Sequence, residues 1–182
     1  MTTGAGWAQA VAVDDILGRL RGGGHVIVLR HGATHAEQAD TDPLHLDNVA
    51  QQRQLNDKGR TDARALGDAF KRAGVPIGRV YSSRFQRAVE TARLVGAQEP
   101  ETTNDVTEGG LVVSPNENNR RMQALRALVA HAPEPGTNTL IVTHKPNILD
   151  AFGKDWSIFT PDGRGGSTLL GRVQIGEWTA AR

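Results

Sequence analysis

The 182-residue chain contains no cysteine, which removes disulfides, thiolate nucleophiles and zinc–sulfur sites together and leaves the redox compartment open. It also has almost no charge imbalance: 21 Lys and Arg stand against 20 Asp and Glu, a net of +1. With no basic run anywhere, the electrostatic footprint of a nucleic-acid partner is missing, and any basic character must be local. No apolar run approaches the roughly 20 residues needed to span a bilayer. The first residues lack the apolar core of a signal peptide. Gly6-Trp7-Ala8-Gln9-Ala10 looks like the tail of a cleavage site without its hydrophobic part, or like an ordinary leader. We read residues 1–10 as a flexible leader. A cytoplasmic location is the expectation for the chain as it starts here, and a periplasmic or secreted one if the natural start is longer. There are no internal repeats and no composition break. At 38% hydrophobic and 23% charged, residues 1–182 are expected to form one globular domain.

What is present centres on His25–Thr34, HVIVLRHGAT. Val26–Leu29 is a short, β-branched apolar run after three glycines, the pattern of a strand buried on both faces. Arg30, His31 and Gly32 follow where that strand empties into a loop. An arginine and a histidine there are costly unless they meet an anion or a partner. Gly32 is expected to let the backbone turn and approach a ligand closely. Thr139–Thr143, TLIVT, is a second strand of the same kind, and His144 follows it directly. In open α/β sheets ligands bind beyond the carboxyl ends of the strands, so two parallel strands would deliver both histidines to one rim.

Around these strands, Val11–Leu20 has helical apolar spacing with Asp14 and Asp15 early. Residues 35–54 are polar, irregular and longer than an ordinary connection, as lids and substrate walls are. Their His35, Glu37, Asp40, Asp42, His45 and Asp47 match no metal-ligand spacing, and no metal is assigned. A helix is expected from Asn56 to about Arg72 with Asp57 as its cap, then a strand over 79–82. Ser83 is expected to cap a helix over 84–95, with Arg84 and Arg87 as neighbours on its first turn. Asp105–Gly110 reads as a loop. Ser114 or Asn116 caps a helix running to His131, and Lys145-Pro146-Asn147 opens another toward Phe152. A hairpin closes the chain.

Four pieces in this order, LRHG (29–32), SSRFQRAVETA (82–92), VTEGG (106–110) and VTHKPNI (142–148), resemble the histidine phosphatase superfamily, phosphoglycerate-mutase-like, branch 1. LNDKGRTDA (55–63) agrees more weakly. The resemblance implies a three-layer α/β/α sandwich with a mostly parallel central sheet. It implies a phosphatase in which His31 attacks phosphorus and becomes phosphohistidine. Arg30, Arg87 and His144 would bind the phosphoryl oxygens alongside His31, and Glu108 would protonate the leaving oxygen and later accept a proton from water. Arg87 takes its role because it precedes Ala88 in the pattern RA-x-x-TA. Arginine suits the task because its planar fork meets two oxygens at once and stays charged. No metal or cofactor is required, and the expected partner is a small phosphorylated substrate or a phosphoprotein.

Two departures narrow the expectation. Glu37 stands where the common RHG-x-T-x-x-N carries Asn, so that position is given no phosphate contact. Lys145 follows the second histidine where the acid-phosphatase and phytase branch has Asp, which leaves Glu108 as the donor. Arg120 and Arg121 read as solvated, or as reaching the pocket mouth. Mutase-type phosphoryl transfer and a non-catalytic phosphate-binding protein are the alternatives. The chain is shorter than the clan's mutases, and all four pocket residues are present.

Overall fold

The computed structural model describes residues 13–109, 112–153 and 157–171. The leader at 1–10, the first two residues of the expected first helix, Gly110 and the outer end of the expected terminal hairpin lie outside them. Six strands form one sheet in the order β3-β2-β4-β1-β5-β6. They are β1 (Val26–Arg30), β2 (Ile77–Ser82), β3 (Glu101–Thr102), β4 (Asn138–Thr143), β5 (Ser157–Pro161) and β6 (Ser167–Gly171). The β3-β2-β4-β1 part is parallel, and β5 and β6 add an antiparallel edge. This is the expected mostly parallel α/β architecture.

Alternation along the central strands explains the layers. Ile27 and Leu29 of β1, with Leu140 and Val142 of β4, enter one apolar cluster. Ile16, Leu17 and Leu20 of α1 (Val13–Leu20), Ala63, Leu66 and Phe70 of α2 (Asp57–Ala73), and Ala88, Ala92 and Val95 of α3 (Gln86–Gly96) complete it. Val26, Val28 and Ile141 point to the other face, against Leu125 and Val129 of α4 (Pro115–Ala130) and Ile148 and Ala151 of α5 (Lys145–Phe152). The two central strands β1 and β4 are therefore apolar on both faces, as a sandwiched parallel sheet requires. Fully burying one such aliphatic side chain stabilises the fold by about 1.5–3 kcal/mol. Buried Asn138 ties the other end of the sheet, its amide donating to Leu20 O at 2.7 Å and Pro76 O at 2.9 Å.

Two helix starts differ from the sequence reading. The cap of α2 is Asn56, whose side chain accepts the Gly59 N–H at 2.8 Å; Asp57 is already the first helical residue. Asn56 wins because its amide also donates to Thr34 O at 3.0 Å, joining the helix start to the loop after β1. The third helix begins at Gln86 behind Phe85, without a side-chain cap. Ser83 instead accepts the Phe85 N–H at 3.2 Å within the preceding turn. Arg84 is thus not on the helix and is not a helical neighbour of Arg87. Ser114 caps α4 as expected, accepting the Glu117 N–H at 3.2 Å.

Candidate active site

The parallel register of β1 and β4 pairs Arg30 with Thr143, so the next residue of each strand, His31 and His144, must emerge side by side. The His31 N–H donates to Thr143 O at 3.0 Å, and the two imidazoles meet edge-on with centroids 5.1 Å apart. His31 Nδ1 lies 2.8 Å from Gly32 O. A carbonyl only accepts, so the ring proton sits on Nδ1 and Nε2 carries the lone pair. His144 Nε2 lies 2.7 Å from Ser83 Oγ. A hydroxyl can donate to that nitrogen or accept from it; the Glu108 carboxylate 3.3 Å from Nδ1 favours the ring proton on Nδ1, with the Ser83 hydroxyl donating to Nε2.

Gly32 has a packing role that the sequence reading did not include. Its φ is not in the left-handed region, and a Cβ there would sit 2.9 Å from Gly59 O. The close approach seen here is to the first turn of α2. The Gly32 N–H donates to Thr91 Oγ1 at 3.0 Å, and Thr91 donates to Arg87 O at 2.7 Å. One threonine thus links the loop after His31 to the helix that carries Arg87. Sequence reasoning passed over Thr91, although it is the threonine of the quoted RA-x-x-TA.

Arg87 is fully buried, with its guanidinium 4.2 Å from the Phe85 ring centroid. One terminal nitrogen donates to Asp40 at 2.9 Å and the other to Glu108 at 2.7 Å. Glu108 Oε1 is also 3.3 Å from His144 Nδ1, close but not aligned as a hydrogen bond. The structure therefore brings Arg30, His31, Arg87, Glu108 and His144 together.

It adds two residues from the 35–54 loop. Asp40 grips Arg87 and accepts the Arg53 N–H at 2.9 Å, and Arg53 turns its side chain into the same electrostatic neighbourhood. No spacing signal marks either residue, because the loop that carries them is irregular apart from one short 3₁₀ turn at Val49–Gln51. Glu37 stays exposed against His35. Arg84 faces Asp47, Arg120 faces Glu117 and Asp105, and Arg121 holds Glu117 and Thr107 O.

Burial and three arginines set the protonation. His31 is pushed down to about 3 by desolvation first, then by the charges of Arg87, Arg30 and Arg53, against the opposing Gly32 hydrogen bond. His144, more deeply buried, is held well below the usual histidine range by desolvation and by His31 and the same arginines. Both rings are neutral at pH 7. Among the described residues, the buried side-chain nitrogens without a hydrogen-bond partner are Arg30 Nε, Arg53 Nε, Arg87 Nε and His144 Nδ1. Leaving such donors unmatched is expensive. The charges of Arg30, Arg53 and Arg87 all act on the His31 and His144 rings, so these donors surround a histidine lone pair, as a receptacle for an oxyanion requires. Beside it opens a cavity of about 560 Å³, with Asp40, Phe85 and Glu108 in its wall.

Solved structures share this fold. The protein histidine phosphatase SixA complexed with tungstate is 21% identical, with a TM-score of 0.56 over 84% of this chain and 97% of that one. A mycobacterial glucosyl-3-phosphoglycerate phosphatase in complex with VO3 is 18% identical, with a TM-score of 0.57 over 82% and 99%. A phosphoserine phosphatase mutant from Entamoeba histolytica in complex with phosphoserine is 15% identical, with a TM-score of 0.53 over 84% and 98%. No curated protein gives a significant match. The family model "Histidine phosphatase superfamily (branch 1)" matches residues 26–112, a stretch that contains Arg30, His31, Arg87 and Glu108. Over that stretch the chain is similar to the histidine phosphatase superfamily, branch 1, and it shares its fold with solved phosphatases.

Proposed function

We propose that the protein is a metal-independent phosphatase that hydrolyses a phosphomonoester, or a phosphohistidine, through a covalent intermediate on His31. The observation that carries this reading is the set of unmatched buried donors from Arg30, Arg53, Arg87 and His144 gathered around a neutral histidine whose Nε2 holds a lone pair. A phosphoryl group needs cationic and N–H donors around its oxygens, an in-line nucleophile and a proton for the departing oxygen.

In the first step the His31 Nε2 lone pair forms the N–P bond as the P–O bond to the leaving group breaks. Arg30, Arg87 and His144 hold the phosphoryl oxygens, with Arg53 beside them. The phosphate displaces carboxylate from the Arg87 fork, and two anions side by side favour sharing a proton. Glu108 carries that proton and delivers it to the leaving oxygen, releasing the alcohol. In the second step water attacks phosphorus, the N–P electron pair returns to His31, and the water proton passes to Glu108. The SixA and phosphoserine phosphatase relatives support small phosphoesters and phosphohistidine alike as substrate classes.

Turnover of p-nitrophenyl phosphate with and without excess EDTA tests the reading. Equal rates are expected, with an acid-labile phosphoenzyme trapped on quenching. Activity lost to EDTA and restored by a divalent ion would sink the metal-free scheme. A folded protein with no turnover would instead favour a phosphate-binding role.

A further inference from the structure

The cavity beside Glu108 is built for something other than phosphate. Its wall includes Pro43, Leu44, Leu46, Phe85, Val112 and Val113, and Leu44 and Val112 leave 74% and 47% of their surface to solvent. Large apolar side chains held open at a concave mouth mark a binding surface, whereas scattered ones do not. The cavity is continuous with the proposed catalytic centre. Glu108 and Asp40, which flank Arg87, belong to its wall, and Phe85 lies under the Arg87 guanidinium. At about 560 Å³ it falls in the range of pockets that enclose a small organic molecule.

Its charges are already matched. The Arg84 guanidinium lies 3.3 Å from Asp47. Arg121 donates to Glu117 at 2.9 Å and to Thr107 O at 2.8 Å, and His45 is held by Asp42 at 2.7 Å. Both arginines of the wall stand against carboxylates, so the wall offers no excess positive charge to a second anion. Asp40, Asp47 and Glu108 would repel one.

Resting on the phosphatase reading, we infer that this cavity receives the leaving group, and that the substrate is the phosphomonoester of a neutral alcohol with a bulky apolar body, aryl or branched aliphatic. A bisphosphate or a phosphorylated acid would set its second negative group against those carboxylates.

The test compares kcat/KM for phenyl, 1-naphthyl and 4-carboxyphenyl phosphate, whose leaving groups are similarly acidic, and for a phosphohistidine peptide. We expect 1-naphthyl phosphate to exceed phenyl phosphate by about tenfold or more, since each extra buried apolar group strengthens binding, and 4-carboxyphenyl phosphate to fall below phenyl by a similar factor. Leu44→Asp and Val112→Asp, both at exposed positions that tolerate a polar side chain, should bring the naphthyl-to-phenyl ratio toward one. A preference for the carboxylated substrate or the peptide would overturn the inference, as would a ratio unmoved by both variants. Turnover without apolar preference defeats this inference alone. A folded protein that turns over none of the four, and yields no phosphoenzyme, defeats the phosphatase reading with it.

Discussion

The pocket has two sides built in different ways. On one, Arg30, His31 and His144 leave the ends of two central strands, and their spacing is fixed by a parallel register with apolar packing on both faces. On the other, Asp40 and Arg53 come from the long 35–54 loop and Glu108 from the segment after Asn104–Val106. These are held by side-chain polar contacts, such as Asp40 to the Arg53 N–H and to Arg87. A strand end cannot shift without breaking ladder bonds and core contacts, whereas a loop carboxylate can exchange partners cheaply. Groups that must not move therefore sit on the sheet side. Groups that, on the proposed mechanism, let go of Arg87 when phosphate arrives sit on the loop side.

Substitutions on the two sides should separate accordingly. The largest effect is expected on the sheet side: His31→Ala should lower phosphomonoester turnover by at least about ten-thousandfold, since the nucleophile itself is lost, with the circular dichroism spectrum unchanged. Substantial turnover by a folded His31→Ala protein would remove the assigned role.

Next comes the loop-side acid. Glu108→Gln keeps a hydrogen-bonding group but cannot give up a proton, and should lose roughly a hundredfold to ten-thousandfold on alkyl phosphates. The deficit should shrink on p-nitrophenyl phosphate, whose phenolate leaves unaided, unless hydrolysis of the phosphoenzyme limits both. Burst kinetics reveal that case. If the variant matches wild type on an alkyl phosphate, the structure makes Asp40 the next carboxylate to test, because Glu37 and Glu117 are engaged by His35 and by Arg120 and Arg121.

A smaller effect of opposite sign is expected at Asp40. Replacing it with Asn removes a charge that competes with phosphate for Arg87, so inorganic phosphate should inhibit more tightly, by up to roughly tenfold in Ki. Weaker phosphate inhibition would mean that Asp40 orders the pocket more than it opposes the anion.

The smallest change concerns pH and isolates the sheet side. Folded His31 and His144 both lie below the ordinary histidine value of about 6.5, so on acidification the unfolded chain binds protons first. Stability is then complete above about pH 6.5 and falls as pH drops toward 3, where folded His31 titrates. Each such proton contributes a slope of about 1.4 kcal/mol per pH unit. Urea unfolding between about pH 5 and 6.5, above the carboxylate range, should show His31→Gln losing about one proton's worth of that slope. An unchanged slope would show that the His31 ring is protonated in the fold.

Legibility followed the same division. The β-branched runs at 26–29 and 139–143, each ending in histidine, were readable because a strand buried on both faces leaves a composition signal. The helix around Arg87 was readable too, but its start was misplaced. Ser83 looks like a cap by residue type, yet its hydroxyl is taken by the Phe85 N–H and by His144. Asp57 lost the cap to Asn56 because only Asn56 can also donate to Thr34 O. Arg53 and Asp40 left no trace, since their meaning depends on where an irregular loop folds back.

The sequence by itself determined the element types, the two-faced sheet and the identity of the residues at the strand ends. These follow from local hydrophobic pattern, which is a property of consecutive residues. Only the tertiary structure decided that Gly32 packs on Gly59, that Thr91 joins Gly32 to Arg87, and that Asp40 and Glu108 share one guanidinium. Those contacts join residues up to 59 positions apart, and their energy exists only once the chain has closed the distance between them.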